Sequence, residues 1–238
     1  MKLENLLKDA EKEKLVAKIL IKYAGYIKKS QNYGDGESLK NLEMLKNISG
    51  VGLELLETNI QQAYKSYIER YTDMDKLRKL KEISGMEIKL PEELIQKKYK
   101  HYINAKMIDI LIMLRDLSGV EPKLSEEFIQ KAYKKYINDY EWDNMRRLIG
   151  IIRPEIKLPN DFIQKKYKEC IKGTYFGTLK ELMEITGIPP SEEMVQEEYI
   201  SFAKRVRLGP INWLRDATGI EPSEEALKVI KEHILNMK

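Results

Sequence analysis

A 14-residue segment recurs along this chain and constrains its fold more than any other feature. It reads LPEELIQKKYKHYI from Leu90, LSEEFIQKAYKKYI from Leu124 and LPNDFIQKKYKECI from Leu158, with diverged copies NIQQAYKSYI from Asn59 and SEEMVQEEYISFA from Ser191. Each copy contains one residue that we call the anchor glutamine: Gln61, Gln96, Gln130, Gln164 and Gln196. The spacings of 35, 34, 34 and 32 residues predict a repeat protein, in which each unit packs mainly on its neighbours.

Each repeat predicts two helices. Helix A opens at a proline, which suits the first helical position, or at a serine, which suits the N-cap; these are Pro91, Ser125, Pro159, Ser191 and Ser223. Helix B carries apolar residues two, five and eight positions before a glycine, which can adopt the left-handed conformation that ends a helix. The glycines are Gly50, Gly85, Gly119, Gly187 and Gly219. Arg153 takes this place in one repeat and predicts an altered turn.

The predicted fold is all-α, a right-handed α-solenoid of about six to seven helix–turn–helix repeats of 32–35 residues. About twelve to fourteen helices are expected, with one continuous core. An atypical N-terminal repeat and a loop occupy residues 1–38, the repeats 39–222, and a C-terminal capping helix 223–238. All three parts form one continuous domain in this prediction.

Composition bounds the location of the protein. Lys and Arg number 42 against 38 Asp and Glu, so the net charge of +4 is mild and the distribution of charge matters more. A single cysteine excludes an internal disulfide framework and suits a reducing compartment. Charges interrupt every apolar run at the N-terminus, and no run approaches the ~20 residues of a membrane span. We expect a cytoplasmic protein without a membrane partner.

The lysines of helix A are the candidate ligand-binding residues. They recur four positions after the anchor glutamine, at Lys65, Lys100, Lys134 and Lys168, and one position after it, at Lys97, Lys131 and Lys165. These two positions are adjacent on one helix face. They predict a basic stripe across helix A of successive repeats, with a spacing that could follow a phosphate backbone. The alternative is a solvated face whose lysines are offset by the glutamates at the helix starts.

The other repeated polar residues have a structural and a functional interpretation. The anchor glutamines either line a groove and hydrogen-bond a ligand, or cap a neighbouring turn. The helix A tyrosines lie on the apolar face, which favours core packing with the hydroxyl reaching a partner; they are Tyr64, Tyr99, Tyr133, Tyr167 and Tyr199. Trp142 and Trp213 have no counterparts in other repeats; each is either local core or a binding anchor, and we favour the core.

Catalysis has little support in the sequence. The two histidines, His101 and His233, fall in different repeats, and Cys170 takes the place of a core tyrosine. Metal-ligand spacing and a glycine-rich phosphate loop are both absent. We therefore expect a protein that is not an enzyme, with no cofactor, no metal and no small-molecule substrate.

The turn that closes each repeat carries a family resemblance. It reads Gly-(Ile/Val)-x-Pro at Gly119–Pro122, Gly187–Pro190 and Gly219–Pro222, and with the helix A tyrosines it resembles the pentatricopeptide repeat family, more distantly the tetratricopeptide family. The resemblance covers most of residues 39–238. It implies single-stranded RNA binding, with a polar residue early in helix A reading a base. The anchor glutamine looks like that residue, but it does not vary between repeats as a base-reading position would.

Two functions remain after these steps. The first is a non-enzymatic scaffold that binds single-stranded RNA through the basic face of helix A. The alternative is a protein–protein interaction scaffold that holds a peptide or a partner protein in a concave groove.

Overall fold

The computed structural model describes residues 9–32, 35–70, 73–152, 158–205 and 207–235, which are mostly helical. These residues form thirteen α-helices and one 3-10 turn, Glu54–Leu56, with no strand among them, so the all-α prediction is confirmed. The helices are α1 (Asp9–Ser30), α2 (Glu37–Ser49), α3 (Glu57–Glu69), α4 (Met74–Ser84), α5 (Glu92–Asn104), α6 (Ile108–Ser118), α7 (Glu126–Asn138), α8 (Trp142–Ile152), α9 (Asn160–Lys172), α10 (Phe176–Thr186), α11 (Glu192–Lys204), α12 (Leu208–Thr218) and α13 (Glu224–Leu235).

Two compact units divide the chain, residues 1–124 and 125–238, which we call unit 1 and unit 2. In unit 1, α1 packs on α2, α3 on α4 and α5 on α6, and α4 also contacts both α2 and α6. In unit 2, α7 packs on α8, α9 on α10 and α11 on α12, while α13 lies against α11. The odd-numbered helices are helix A of the repeats and the even-numbered ones helix B. The predicted division of the chain into a first repeat, a repeat region and a cap stays a prediction.

Serine caps the start of helix A where the sequence provides it. The hydroxyl oxygens of Ser125, Ser191 and Ser223 accept backbone N–H groups three residues later, at 3.3, 3.4 and 3.2 Å. The prediction for proline was wrong by one position. Pro91 and Pro159 have ψ of 130° and 129°, so they are N-caps in an extended conformation rather than first helical residues. Proline suits that place because an N-cap does not need its own N–H for the helix ladder.

Glycine ends helix B as predicted. Gly50, Gly85, Gly119, Gly187 and Gly219 have φ between 66° and 73°, and each N–H donates to the carbonyl four residues earlier. Left-handed φ costs little for glycine because it has no Cβ. Arg153, the exception in the sequence, lies outside the described residues, so its altered turn stays a prediction.

The core is built from the apolar stripes of both helices, with the helix A tyrosines fully buried in it. Three residues depart from the expected pattern. Trp142, expected in the core, is only half-buried. Ile48, two positions before its glycine, is 56% exposed. Trp213, expected in the core, is 58% exposed, because it lies six positions before Gly219 and therefore off the buried stripe.

Replacing Gly119 by alanine tests the left-handed turn. An added Cβ meets nothing within 4 Å, so the cost is purely conformational. We expect the free energy of unfolding to fall by about 1–2 kcal/mol, measured by urea denaturation. The matched control is Gly25→Ala in the middle of α1, where the Cβ again meets nothing and φ is helical. That change should raise the free energy of unfolding by about 0.5–1 kcal/mol. Equal effects of the two changes would contradict the assignment.

Candidate nucleic-acid interface on helix A

The helix A tyrosine hydroxyls hold the turn that follows helix B. Except at Tyr133, the hydroxyl donates to the carbonyl of the residue after the closing glycine. The distance is 3.1 Å from Tyr64 to Met86 and 2.6 Å from Tyr199 to Ile220. Tyr23, Tyr99 and Tyr167 make the same bond to Val51, Val120 and Ile188. Burial raises the pKa of Tyr99 and Tyr199 to about 12, so these hydroxyls remain protonated donors at neutral pH.

The anchor glutamines bind the same turn with both ends of the amide. Gln61 donates from Nε2 to the carbonyl of Glu87 at 2.7 Å and accepts the N–H of Lys89 at 2.8 Å. Three other anchor glutamines repeat this pattern, with both bonds at 2.7–2.9 Å: Gln96 with Glu121 and Lys123, Gln164 with Pro189 and Ser191, and Gln196 with Glu221 and Ser223. The matching turn for Gln130 spans residues outside the described ranges; its amide donates to Glu126 at 3.2 Å.

A third polar group, which the sequence reasoning missed, completes this arrangement. Ser49, Ser84, Ser118, Thr186 and Thr218 each precede the closing glycine. Each hydroxyl oxygen accepts the N–H of the residue after that glycine, at 3.1–3.3 Å. Tyr64 also bonds Ser84, and Tyr167 bonds Thr186. The recurring Ser/Thr-Gly pair was the available signal. We call the tyrosine, the glutamine and this hydroxyl the turn clamp.

The turn clamp favours the structural interpretation of the glutamines and tyrosines. Donor and acceptor of the amide are both engaged in four repeats, and the tyrosine rings are buried. The glutamine amides and tyrosine hydroxyls could contact a ligand only if these hydrogen bonds were broken. In the repeat of Tyr133 the clamp is incomplete, because Ile152 stands in place of Ser or Thr. There the buried Tyr133 hydroxyl has no partner among the described residues.

The lysines one position after the anchor are on the surface. Lys97, Lys131 and Lys165 are exposed, as is Lys65 in the second row. None of these four has an ion pair within the described parts of the chain. In unit 1 they belong to α3 and α5, which pack on each other. In unit 2 they belong to α7 and α9. Each unit therefore presents unpaired ammonium groups on helix A.

The second row is less uniform. Lys100 and Lys168 are exposed, whereas Lys134 is half-buried with its Nζ 5.6 Å from the Phe162 ring centroid. Lys168 lies 3.9 Å from Glu197 of α11. In α11 the position after the anchor is Glu197 itself, so the basic character of helix A ends at that helix.

Lysines elsewhere are used differently. Lys89 pairs with Glu57 at 2.7 Å and Lys123 with Glu92 at 2.8 Å, each joining a turn to the start of the preceding helix A. Lys81 donates to the carbonyl of Leu117 at 2.8 Å, at the end of the next helix B. These lysines have structural partners, which distinguishes them from the unpaired lysines of helix A.

An open groove of about 470 Å³ lies along α5 and brings three of the predicted site residues together. Gln96, Lys97 and Lys100 line it with Glu92 and Glu93. Lys123, through its hydrogen bond and its charge, lowers the pKa of Glu92, so one of the two carboxylates is already neutralised by a lysine outside the groove. The groove is basic toward the C-terminal end of α5.

Groups for catalysis are not assembled in the described residues. Cys170 is buried, and burial raises the pKa of its thiol, which disfavours the nucleophilic thiolate. No group of three His, Cys, Asp or Glu that could hold a metal occurs over the described ranges. Within the same residues no helix is both long and apolar enough to span a bilayer.

Comparison with protein families, with curated proteins and with solved structures finds no match to this chain. Its function therefore has to be inferred from its own residues.

The incomplete clamp allows a matched test of the tyrosine hydroxyl. Tyr64→Phe removes bonds to Ser84 and Met86 and should lower the free energy of unfolding by about 1–2 kcal/mol. Tyr133→Phe removes a buried hydroxyl without a described partner and should not lower it. Denaturant unfolding of both variants measures the difference. A loss at Tyr133 equal to that at Tyr64 would show that the hydroxyl bond does not stabilise the turn.

Neighbouring glutamines on α3 provide the second test. Gln61→Ala loses two hydrogen bonds to the turn and should lower the free energy of unfolding by about 1–2 kcal/mol. Gln62 is exposed and makes no bond among the described residues, so Gln62→Ala should stay within about 0.5 kcal/mol of the original. Thermal or urea unfolding monitored by circular dichroism separates them. Similar stabilities would mean that the Gln61 amide is not part of the clamp.

Proposed function

We propose that this chain is a non-enzymatic helical-repeat scaffold of the α-solenoid type that binds single-stranded RNA in the cytoplasm. Binding uses the lysines of helix A one and four positions after the anchor glutamine. The resemblance of the repeat turn to pentatricopeptide proteins supports the class of ligand. The exposed lysines support the mode of binding.

One observation carries this proposal: helix A keeps exposed lysines without an ion pair at a fixed register, whereas two lysines of the turns between repeats are ion-paired. Lys65, Lys97, Lys131 and Lys165 have no acidic partner in the described residues, whereas Lys89 and Lys123 do. A lysine selected only for solubility or stability would be free to pair with the glutamates that surround it. Unpaired ammonium groups at a fixed register offer a repeating charge to a repeating polyanion.

The mechanism is electrostatic. Each ammonium is a flexible point charge that neutralises a phosphate and releases its condensed counterions. Phosphate contacts position a strand without specifying its sequence. The glutamine amides are engaged in the turn clamp and the tyrosine rings are buried. We therefore expect helix A to bind RNA with little preference for particular bases. Unit 1 contributes Lys65, Lys97 and Lys100, and unit 2 contributes Lys131, Lys134, Lys165 and Lys168.

A salt titration tests the proposal. The protein is titrated into a labelled ~20-nucleotide RNA at several salt concentrations, beside a variant with Lys65, Lys97, Lys131 and Lys165 replaced by alanine. If each lysine neutralises one phosphate, the slope of log affinity against log salt should flatten by about 3 in the variant, since single strands contribute about 0.7 per contact. Affinity should fall equally for oligo(U) and oligo(A).

The control removes the same charge from elsewhere. Lys40, Lys89, Lys123 and Lys228 are exposed and lie outside these two helix A positions, and their replacement by alanine should leave the slope nearly unchanged. Equal effects of the two quadruple variants would show that only net charge matters. An absence of RNA binding by the original protein at low salt would refute the proposal in favour of a scaffold for a protein or peptide partner.

A further inference from the structure

Trp213 is the feature that the repeat pattern and the helix A lysines leave unexplained. It is 58% exposed on α12, although a tryptophan side chain gains more from burial than any other. The ring extends back along its own helix, with Cη2 3.9 Å from the position that a Cβ on Gly209 would occupy. Phe176, the first residue of α10, flanks it with ring centroids 6.3 Å apart and planes inclined by 59°. The indole is thus supported from the side by a second ring while most of its surface remains open to solvent.

Exposed cations occur on the turn that leads into α12 and on α10, which packs on α12. Arg205 and Arg207 are exposed in and beside the turn that leads into α12, and no acidic residue occurs between Glu198 and Asp216. Lys180 is exposed one turn after Phe176 on α10, which packs on α12. None of these three cations has an ion pair in the parts of the chain that the structure describes. We call Phe176, Lys180, Arg205, Arg207 and Trp213 the Trp213 patch.

The nearest acidic groups along these helices are already neutralised. Glu181 accepts a hydrogen bond from the Arg146 guanidinium, and Asp216 pairs with Arg215 at 3.3 Å. The arginines and the lysine of the Trp213 patch thus keep their charge without an ion pair in the described residues. An exposed aromatic ring with cations on the adjoining turn and helix matches a ligand that is both aromatic and anionic.

We propose that the Trp213 patch stacks a base of a single-stranded nucleic acid, with Arg205, Arg207 and Lys180 on the adjoining phosphates. Stacking on an aromatic face tolerates any base, because every base has a π-face, and nearby cations hold the backbone. This proposal rests on the proposed function, since it concerns the same class of ligand. It assigns that ligand a second contact, on α10 and α12. The neighbouring helix A, α11, has no lysine one or four positions after its anchor glutamine.

A protein partner fits the patch less well. An aromatic anchor at a protein interface is surrounded by contacts that exclude water, and lysine and acidic residues, though not arginine, are depleted around it. Here the exposed cations on the adjoining turn and on α10 cost free energy to desolvate unless they meet negative charge. A polymer that alternates flat aromatic groups with phosphates satisfies both parts of the patch at once.

Intrinsic fluorescence provides a direct test, because the chain contains two tryptophans. In the Trp142→Phe variant the only fluorescent indole is Trp213. Titration with oligo(U) should quench its emission to saturation, with the same dissociation constant as anisotropy of the labelled RNA reports. The matched Trp213→Phe variant, which keeps Trp142, should show little quenching. An abasic oligonucleotide of the same length should bind with no quenching, because it carries phosphates without bases.

Substitutions then separate the two parts of the patch. Trp213→Ala should weaken oligo(U) binding by about five- to hundredfold, the range measured for one stacked base. Replacing Arg205 and Arg207 by alanine should flatten the salt slope by about 1.4, for two phosphate contacts. Circular dichroism of each variant establishes that the fold is retained.

The outcomes distinguish this inference from the proposed function. RNA binding that depends on the helix A lysines but shows no Trp213 quenching and no loss in Trp213→Ala would overturn the inference and leave the function standing. Quenching and loss in Trp213→Ala without any effect of the lysine variant would support the patch and overturn the helix A interface. Self-association of the protein that Trp213→Ala abolishes, without quenching by RNA, would make the patch an interface between copies of the chain.

Discussion

The hydrogen-bonded turn after helix B is the constraint on which this structure depends. The tyrosine hydroxyl and the glutamine amide of one helix A both reach the turn that follows helix B of the same repeat. They satisfy backbone groups that a left-handed glycine ending would otherwise leave without partners. The turn fixes where the next helix A begins, so the clamp transmits register from one repeat to the next. Apolar stripes make the core, but the clamp sets the spacing at which the stripes meet.

This use of polar residues limits how the protein can recognise a ligand. Glutamine and tyrosine are the residue types that would read bases or hold a peptide, and here their polar atoms are engaged within the fold. Among the repeated polar residues, Lys65, Lys97, Lys131 and Lys165 are exposed and make no ion pair within the described residues. Recognition by ammonium groups is long-ranged and weakly selective, so such a scaffold would choose its ligand by charge and shape, with strong dependence on salt.

Two residues of the last repeats differ in chemical character from those at the same positions of the other repeats. Trp213 occupies a helix B position where other repeats carry methionine, lysine, arginine or glutamate, and Glu197 replaces the lysine after the anchor. Both changes fall in the last repeats of unit 2. In this last repeat the positive charge lies in the turn before α12 rather than on helix A, as it does in α9. The exposed ring of Trp213 lies on the helix that follows this turn. Repeated positions are constrained by packing, whereas a position that breaks the pattern is free to take a specific contact.

The sequence alone determined the all-α class, the helix pairs and the left-handed glycines, because periodicity and turn chemistry act over a few residues. It also placed the lysines on one helix face. Only the tertiary structure decided what the glutamines and tyrosines do, since their partners lie 21–28 residues away and no local rule reveals them. The same holds for Trp213. The hydrophobicity of tryptophan favours burial, but Trp213 lies six residues before Gly219 and therefore off the buried stripe of α12. Only the packing of α12 shows that the indole remains exposed to solvent.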